Sequence, residues 1–520
     1  MAIKLIFLVV FFAAMLLVGI RCRKHSMDVN GFVLGGRAVG PWLTAFAFGT
    51  SYFSAVIFVG YAGQFGWNFG IASTWIGLGN AFIGSLLAWT VLGRRTRIMT
   101  QHLGSKTMPE FFENRYHSSA LKIAASIITF VFLIPYTASL FNGLSRLFEM
   151  AFSVDYAVCV IVMAVLTGIY VIVGGYMATA VNDFIQGIIM LFGIVAIIAA
   201  VLLQNGGLMG SLTALSLVKS DVMQGAYTSF FGPQPFYLLV VVLLTSLGTW
   251  GLPQMVGKFY AIKDEGSISK GTIISTAFAI VVAGGCYFLG GFGRLFSTPE
   301  AVDANGFDSI IPSMLSCLPD VLIAVVLILV LSASMSTLSS LVLTSSSTLV
   351  LDLVVPAREQ NGKEIPEKSK MLSLRVFVAF FIAVSAVIAI VQAKSKVTFI
   401  AQLMGISWGA LAGAFLAPFL YGLYWKKTTR GGVAAGFTFG VLLMLVQLCI
   451  SLSGVSLAGG FFGLIFRNSL YSGVFAMVGS LVIVPAVSLL TQKTKPSDTE
   501  AMFSCYDTTV EVKAKTALRD

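Results

Sequence analysis

The sequence predicts an all-α, polytopic membrane protein with thirteen transmembrane helices, and three observations carry that prediction. Of the 520 residues, 57% are hydrophobic and 11% are charged, about half the charge density of an ordinary soluble domain, and the mean hydropathy is +0.92. A soluble monomer could not hide that much apolar surface. Charge and turn clusters cut the chain into thirteen apolar segments, each near the roughly 20 residues that a bilayer span requires. The Lys and Arg residues between them fall on alternate sides with a strong bias.

In order, the segments cover 3–20, 40–64, 69–93, 122–149, 155–174, 180–203, 232–256, 271–293, 321–346, 372–393, 398–424, 431–453 and 469–491. The first carries its positive cluster, Arg21, Arg23 and Lys24, after the apolar run. That order predicts an uncleaved span with its N-terminus outside, rather than a signal peptide. From that start, 25 of the 33 Lys and Arg residues lie inside, among them Lys258, Lys263 and Lys270 after the seventh span. Six lie outside: Arg146, Lys219, Arg294, Lys394, Lys396 and Arg467. A miscounted span would scramble this bias. Residues 1–491 thus read as one transmembrane domain, and 492–520 as a poorly ordered cytoplasmic tail. In the outside loop, Ser309 to Cys317 reads either as a short surface helix or lid, or as a plain connection.

Several functions are excluded. The net charge of +11 sits in short loops between spans, not on one face that could meet nucleic acid. Six cysteines are scattered without metal-binding spacing, which fits small hydrophobes better than ligands or disulfides. No phosphate-cradling G-x-x-x-x-G-K-[ST] occurs, so energy for any transport comes from an ion gradient or the solute. No nucleophile with a base and no cofactor loop appears, which argues against an enzyme. A sensor would need a soluble output domain, and no obligate protein partner is evident. The absence of an N-x-[ST] sequon favours a bacterial plasma membrane.

Three features point to a site. The second span, F-G-T-S-Y-F-S-A-V-I-F-V-G-Y-A-G from Phe48, and the seventh, T-S-L-G-T-W-G-L-P-Q-M-V-G-K from Thr245, carry glycines and a proline that can break a helix. They lie five spans apart in opposite directions, as five-plus-five inverted repeats require, although glycine also serves close helix packing. In the ninth span Ser332, Ser336, Ser339 and Ser340 share one helical face. Such hydroxyls suit a small hard cation, or bond back to their own helix. Asp183 reads either as a carboxylate facing a cation or water at membrane depth, or as a helix cap in a Gly-Gly and Asn-Asp turn.

Seven strings taken together resemble the sodium/solute symporter family over nearly the whole chain. They are F-V-L-G-G-R-A-V-G-P at Phe32, T-M-P-E-F-F-E-N-R-Y at Thr107, P-Y-T-A-S-L-F-N-G-L-S-R-L-F-E at Pro135, Y-V-I-V-G-G-Y-M-A at Tyr170, G-L-P at Gly251, S-M-S-T-L-S-S at Ser334 and Y-G-L-Y-W at Tyr421. The resemblance implies a LeuT-like core with inverted repeats at about 40–203 and 232–424, and sodium as coupling ion. It implies a main sodium site of the Thr50, Phe53 and Ala333 carbonyls with the Ser336 and Thr337 hydroxyls. A second sodium, held by some members, would use Asp183, Ser336, Ser339 and Ser340. The chain looks nearest to the sodium/proline and sodium/pantothenate branch. Proline carriers, however, have an aspartate where Tyr52 stands and a tryptophan where Thr245 stands, whereas T-S-Y-F-S at Thr50 and V-N-D-F-I-Q-G at Val181 resemble the pantothenate carriers. By position, Ser51, Tyr52, Ser54, Tyr136, Thr249 and Trp250, with Trp408, would line the solute cavity. The expected activity is sodium-coupled import of a small carboxylate-bearing solute, such as pantothenate, an amino acid or a monocarboxylate; the alternative is a passive or proton-coupled carrier. The expected partners are that solute and membrane lipid.

Overall fold

The computed structural model describes residues 2–507, apart from 153, 360–364, 394–399 and 454–458. Lys363, Lys394, Lys396 and the tail beyond 507, all used in the charge count, lie outside the described residues. What is described is helical, with one isolated parallel bridge between Val39 and Ile262 in place of any sheet.

The chain opens with α1 (Ala2–Cys22) and continues in α2 (Pro41–Tyr52), which has proline in its first turn, where a missing N–H costs nothing. A wide-turned stretch, Val56–Tyr61, leads into α3 (Ala62–Phe69), followed by α4 (Thr74–Gly79), α5 (Arg94–His102) and α6 (Met108–Tyr116). Then come α7 (Ser119–Phe152), α8 (Tyr156–Leu203), α9 (Pro235–Leu247), α10 (Pro253–Ala261), α11 (Glu265–Ala279) and α12 (Asp320–Ser347). The last spans are α13 (Glu367–Ala393), α14 (Ile400–Tyr424), α15 (Arg430–Ser453) and α16 (Ser469–Leu490).

Ten helices among the described residues are long and apolar enough to cross a membrane, or eleven if the bent pair α9 and α10 counts as one. The count falls short of the expected thirteen, and two of the ten are unusually long. The 48-residue α8 would reach about 72 Å at 1.5 Å per residue, over twice the roughly 30 Å hydrocarbon core. It contains two of the expected spans, joined at Gly175, whose φ of 57° and ψ of −153° suit only glycine. The 47-residue stretch Val56–His102 is divided in the same way at Gly70, with φ of 62° and ψ of −142°.

Burial ranks the helices. The buried share of the apolar window is 17% for Ile3–His25, 78% for Asp320–Glu359 and 89% for Met404–Tyr424. Thus α1 lies at the periphery, while α12 and α14 form the centre. Charges assigned to one side meet others of that side, Arg94 with Glu265 and Lys426 with Glu500, both at 2.6 Å, while Lys4, at a span edge, pairs with Asp320 at 3.0 Å.

The outside loop resolves in favour of helix. Ile310–Ser316 buries Ile310, Ile311, Met314 and Leu315, while Ser316 stays exposed. The tail departs from expectation. Residues 492–507 are structured, and α17 (Thr499–Phe503) buries Met502 and Phe503 against Arg115, whose guanidinium lies 5.0 Å from the Phe503 ring centroid. Arg95 is sandwiched between the Tyr424 and Tyr506 rings at 4.1 and 4.5 Å. Aromatic residues in a short polar tail supply the contact that its composition conceals.

Candidate functional site

The second and seventh spans both break near their middle, and the breaks match. Phe53 has φ −88° and ψ 122°, and Leu252 has φ −87° and ψ 118°, each ending one helical segment before another begins. Pro253 explains the second break, because the ring of a proline pushes the preceding residue out of helical conformation. The two halves there meet at a bend of 47°. Where the second span begins and the seventh ends, Val39 N donates to Ala261 O at 3.3 Å and Lys263 N donates to Val39 O at 3.0 Å, tying one to the other.

A helix break leaves backbone carbonyls without their usual partners. Ile57, which would donate to Phe53 O in an unbroken helix, donates instead to Ser54 O at 3.0 Å. The freed oxygens face the hydroxyl row of α12. Thr337 Oγ1 lies 3.1 Å from Thr50 O, 3.3 Å from Phe53 O and 3.1 Å from Ala333 O. Ser336 Oγ lies 3.2 Å from Thr50 O and 3.1 Å from Ala333 O. The five oxygens that the family resemblance implies therefore lie together, each hydroxyl within 3.3 Å of at least two of the carbonyls. Without a cation the hydroxyl protons can serve only some of these carbonyls; with one, all five oxygens can turn their lone pairs inward.

The second group of residues is arranged differently from the expectation. Asp183 is fully buried on α8, neither of its oxygens makes a hydrogen bond among the described residues, and Lys258 Nζ of α10 stands 3.7 Å from Oδ2. Lys258 Nζ donates to Ser340 Oγ at 2.9 Å, and Ser340 Oγ lies 2.7 Å from Ser51 Oγ. Ser339 Oγ bonds back to Ser336 O at 2.9 Å. In sequence Lys258 reads as one more inner-loop cation, and its burial on a short helix past the Leu252 break is invisible there. A cavity of about 50 Å³, lined in part by Lys106, Thr107, Gln254, Lys258 and Ser340, adjoins it.

The residues expected to line a solute cavity divide into two sets. Trp408 sits between Tyr52 and Tyr136, tilted 46° to the Tyr52 ring with centroids 5.8 Å apart and edge-to-face with the Tyr136 ring at 87° and 6.0 Å. Ser54 Oγ, Tyr136 OH and Trp408 Nε1 are buried without a hydrogen bond of normal geometry, while Tyr52 OH donates to Thr245 O at 3.1 Å. Ser51 faces Ser340 instead. Thr249 Oγ1 lies 2.8 Å from Ser246 O of its own span and 3.3 Å from Gly84 O, and Trp250 Nε1 donates to Ile83 O at 3.0 Å, so both lean on the third span. Asn80 Nδ2 and Tyr287 OH, which sequence reasoning did not single out, are also buried without a normal partner. A lone Asn and a lone Tyr inside apolar runs were the available signal.

The sequence profile of the sodium:solute symporter family matches residues 32–440. The chain belongs to the sodium:solute symporter family. Its relatives include the sodium/proline symporter of Staphylococcus aureus, 28% identical over 494 residues, covering 94% of this chain and 93% of that one. The protein of the same name from S. aureus strain JH9 is also 28% identical, over 495 residues. Among solved structures, a substrate-bound, outward-open Na+-coupled sialic acid symporter superposes with a TM-score of 0.71 at 15% identity, over 94% of this chain and 98% of that one. That likeness establishes the fold. Membership in the sodium:solute symporter family makes this chain a multi-pass membrane transporter of a small solute.

Proposed function

We propose that this chain is a sodium-driven symporter that carries a small, carboxylate-bearing organic solute into the cell. The observation that carries the reading is the convergence of the Thr50, Phe53 and Ala333 carbonyls with the Ser336 and Thr337 hydroxyls. Hard, neutral oxygens at a helix break suit a small hard cation. The solute would sit beside the break against Tyr52, Ser54, Tyr136 and Trp408, with Ser51, Thr249 and Trp250 behind them. Apolar rings with a few unpaired polar atoms are the usual lining of a small-molecule site, and the positive N-terminal ends of broken helices favour a carboxylate. Proline, other amino acids, pantothenate and short monocarboxylates all meet that description.

In this reading α8 and the stretch Val56–His102 each supply two spans, giving thirteen, with inverted repeats at about 40–203 and 232–424. The protein lies in the plasma membrane with its N-terminus outside and its C-terminus cytoplasmic. Sodium favours the outward-open arrangement, and binding of both ligands permits the rocking step; the coupling is reciprocal.

The test is uptake of labelled proline, pantothenate and monocarboxylates into proteoliposomes with and without an inward sodium gradient. Accumulation above the outside concentration only with the gradient supports symport. Equilibration alone indicates a passive carrier, and accumulation driven by a proton gradient without sodium indicates a proton-coupled one.

A further inference from the structure

We propose that the Lys258 ammonium is a built-in cation that fills the second cation place, limiting this symporter to one sodium per transport cycle. The inference rests on the symport reading above and fixes its stoichiometry. Asp183 from α8 and Ser340 from α12 approach one position from two sides, and Lys258 Nζ occupies it, 3.7 Å from Asp183 Oδ2 and 2.9 Å from Ser340 Oγ. The Tyr176 ring, its centroid 5.3 Å from Nζ, adds a third favourable contact.

Charge balance excludes a second ion. Asp183 is fully buried, Lys258 is 3% exposed, and they form an ion pair among the described residues. Removing either charge alone would strand the other in a low-dielectric interior. A sodium placed between Asp183 and Ser340 would overlap the ammonium or stand within a few ångström of it, where two like charges repel strongly. An ammonium has three protons, of which Ser340 takes one. The adjoining cavity of about 50 Å³ has room for a few waters to take another. The five-oxygen site has no carboxylate and meets no such competitor. Unlike an ion, Lys258 is tethered to α10 and cannot leave with the solute.

Equilibrium binding of radioactive sodium to the purified full chain tests this. The expected results are one sodium per wild-type chain and two per chain in Lys258→Ala, where Asp183, Ser339 and Ser340 become available. Lys258→Arg and the charge-neutral Asp183→Asn/Lys258→Ala are each expected to bind one. Two sodiums per wild-type chain would overturn the proposal, and that measurement needs no variant to fold. One sodium in folded Lys258→Ala would also overturn it while leaving symport intact. Failure of wild type to bind any sodium would remove the symport reading and this inference together.

Discussion

Thr337 Oγ1 stands 3.3 Å from the carbonyl oxygen of Phe53, so a hydroxyl of the unbroken α12 closes the gap left by a broken span. The same hydroxyl reaches Thr50 O at 3.1 Å. One side chain thus bridges two carbonyls at the break, and motion of the second span relative to α12 would pull this cluster apart.

Solute affinity should depend on the aromatic stack. Trp408→Ala removes the ring between Tyr52 and Tyr136 and is expected to raise the KM for uptake about five- to thirtyfold, from the loss of roughly 1–2 kcal/mol of ring contact. Concentration-dependent uptake at saturating sodium measures it. Trp250→Phe, whose indole N–H is held by Ile83 O, is expected to lower thermal stability more than solute affinity.

Thr107 joins two structural roles. Its hydroxyl lies 2.7 Å from Asp352 Oδ2 and accepts the Glu110 N–H at 3.1 Å, capping α6. Thr107→Val is expected to destabilise the protein by about 2 kcal/mol, combining a lost cap with an unsatisfied buried acid. A thermal-shift assay in detergent checks it.

Gly175 is the hinge of α8. A Cβ there would lie 2.8 Å from Phe32 Cδ2 while the backbone keeps φ at +57°. Gly175→Ala is expected to cost about 1–3 kcal/mol, read as a lower unfolding temperature, with loss of uptake in proportion to folded protein.

The docked tail should loosen in acid. The hydrogen bond from Lys426 holds the Glu500 carboxyl below its usual value. Such a group stabilises docking above its unfolded pKa, and the contribution is lost as pH falls below about 4.3. Amide exchange in 499–506 is therefore expected to be protected at pH 7 and less so near pH 4, once corrected for intrinsic rates. Equal protection at both would show that the Arg95 and Arg115 ring contacts hold the tail alone.

Much of this was legible in the sequence, because spans are specified locally. Apolar length, Gly251 and Pro253 at the seventh-span break and the periodicity of Ser332, Ser336, Ser339 and Ser340 are all short-range patterns. The convergence of Thr50 and Phe53 with Ser336 and Thr337 came from family resemblance, since no local rule brings residues nearly 300 positions apart together. Lys258 escaped because charge after an apolar run reads as a loop, and only the bend at Leu252 turns α10 so that Lys258 meets Asp183. The joint at Gly175 was legible as the Gly-Gly pair between the fifth and sixth spans, but the helical hydrogen bonding that continues around it has no apolar signature. The tail escaped because its docking depends on two arginines, Arg95 and Arg115, nearly 400 positions away.

The measurement closest to the central claim is the sodium concentration that half-saturates solute uptake in wild type, Ser336→Ala and Thr337→Ala. Loss of one charge-facing oxygen is expected to cost about 1.5–3 kcal/mol, raising that concentration about tenfold or more in each variant, with correctly folded protein. Unchanged sodium dependence in both would contradict the assignment of the five-oxygen cluster as the coupling site.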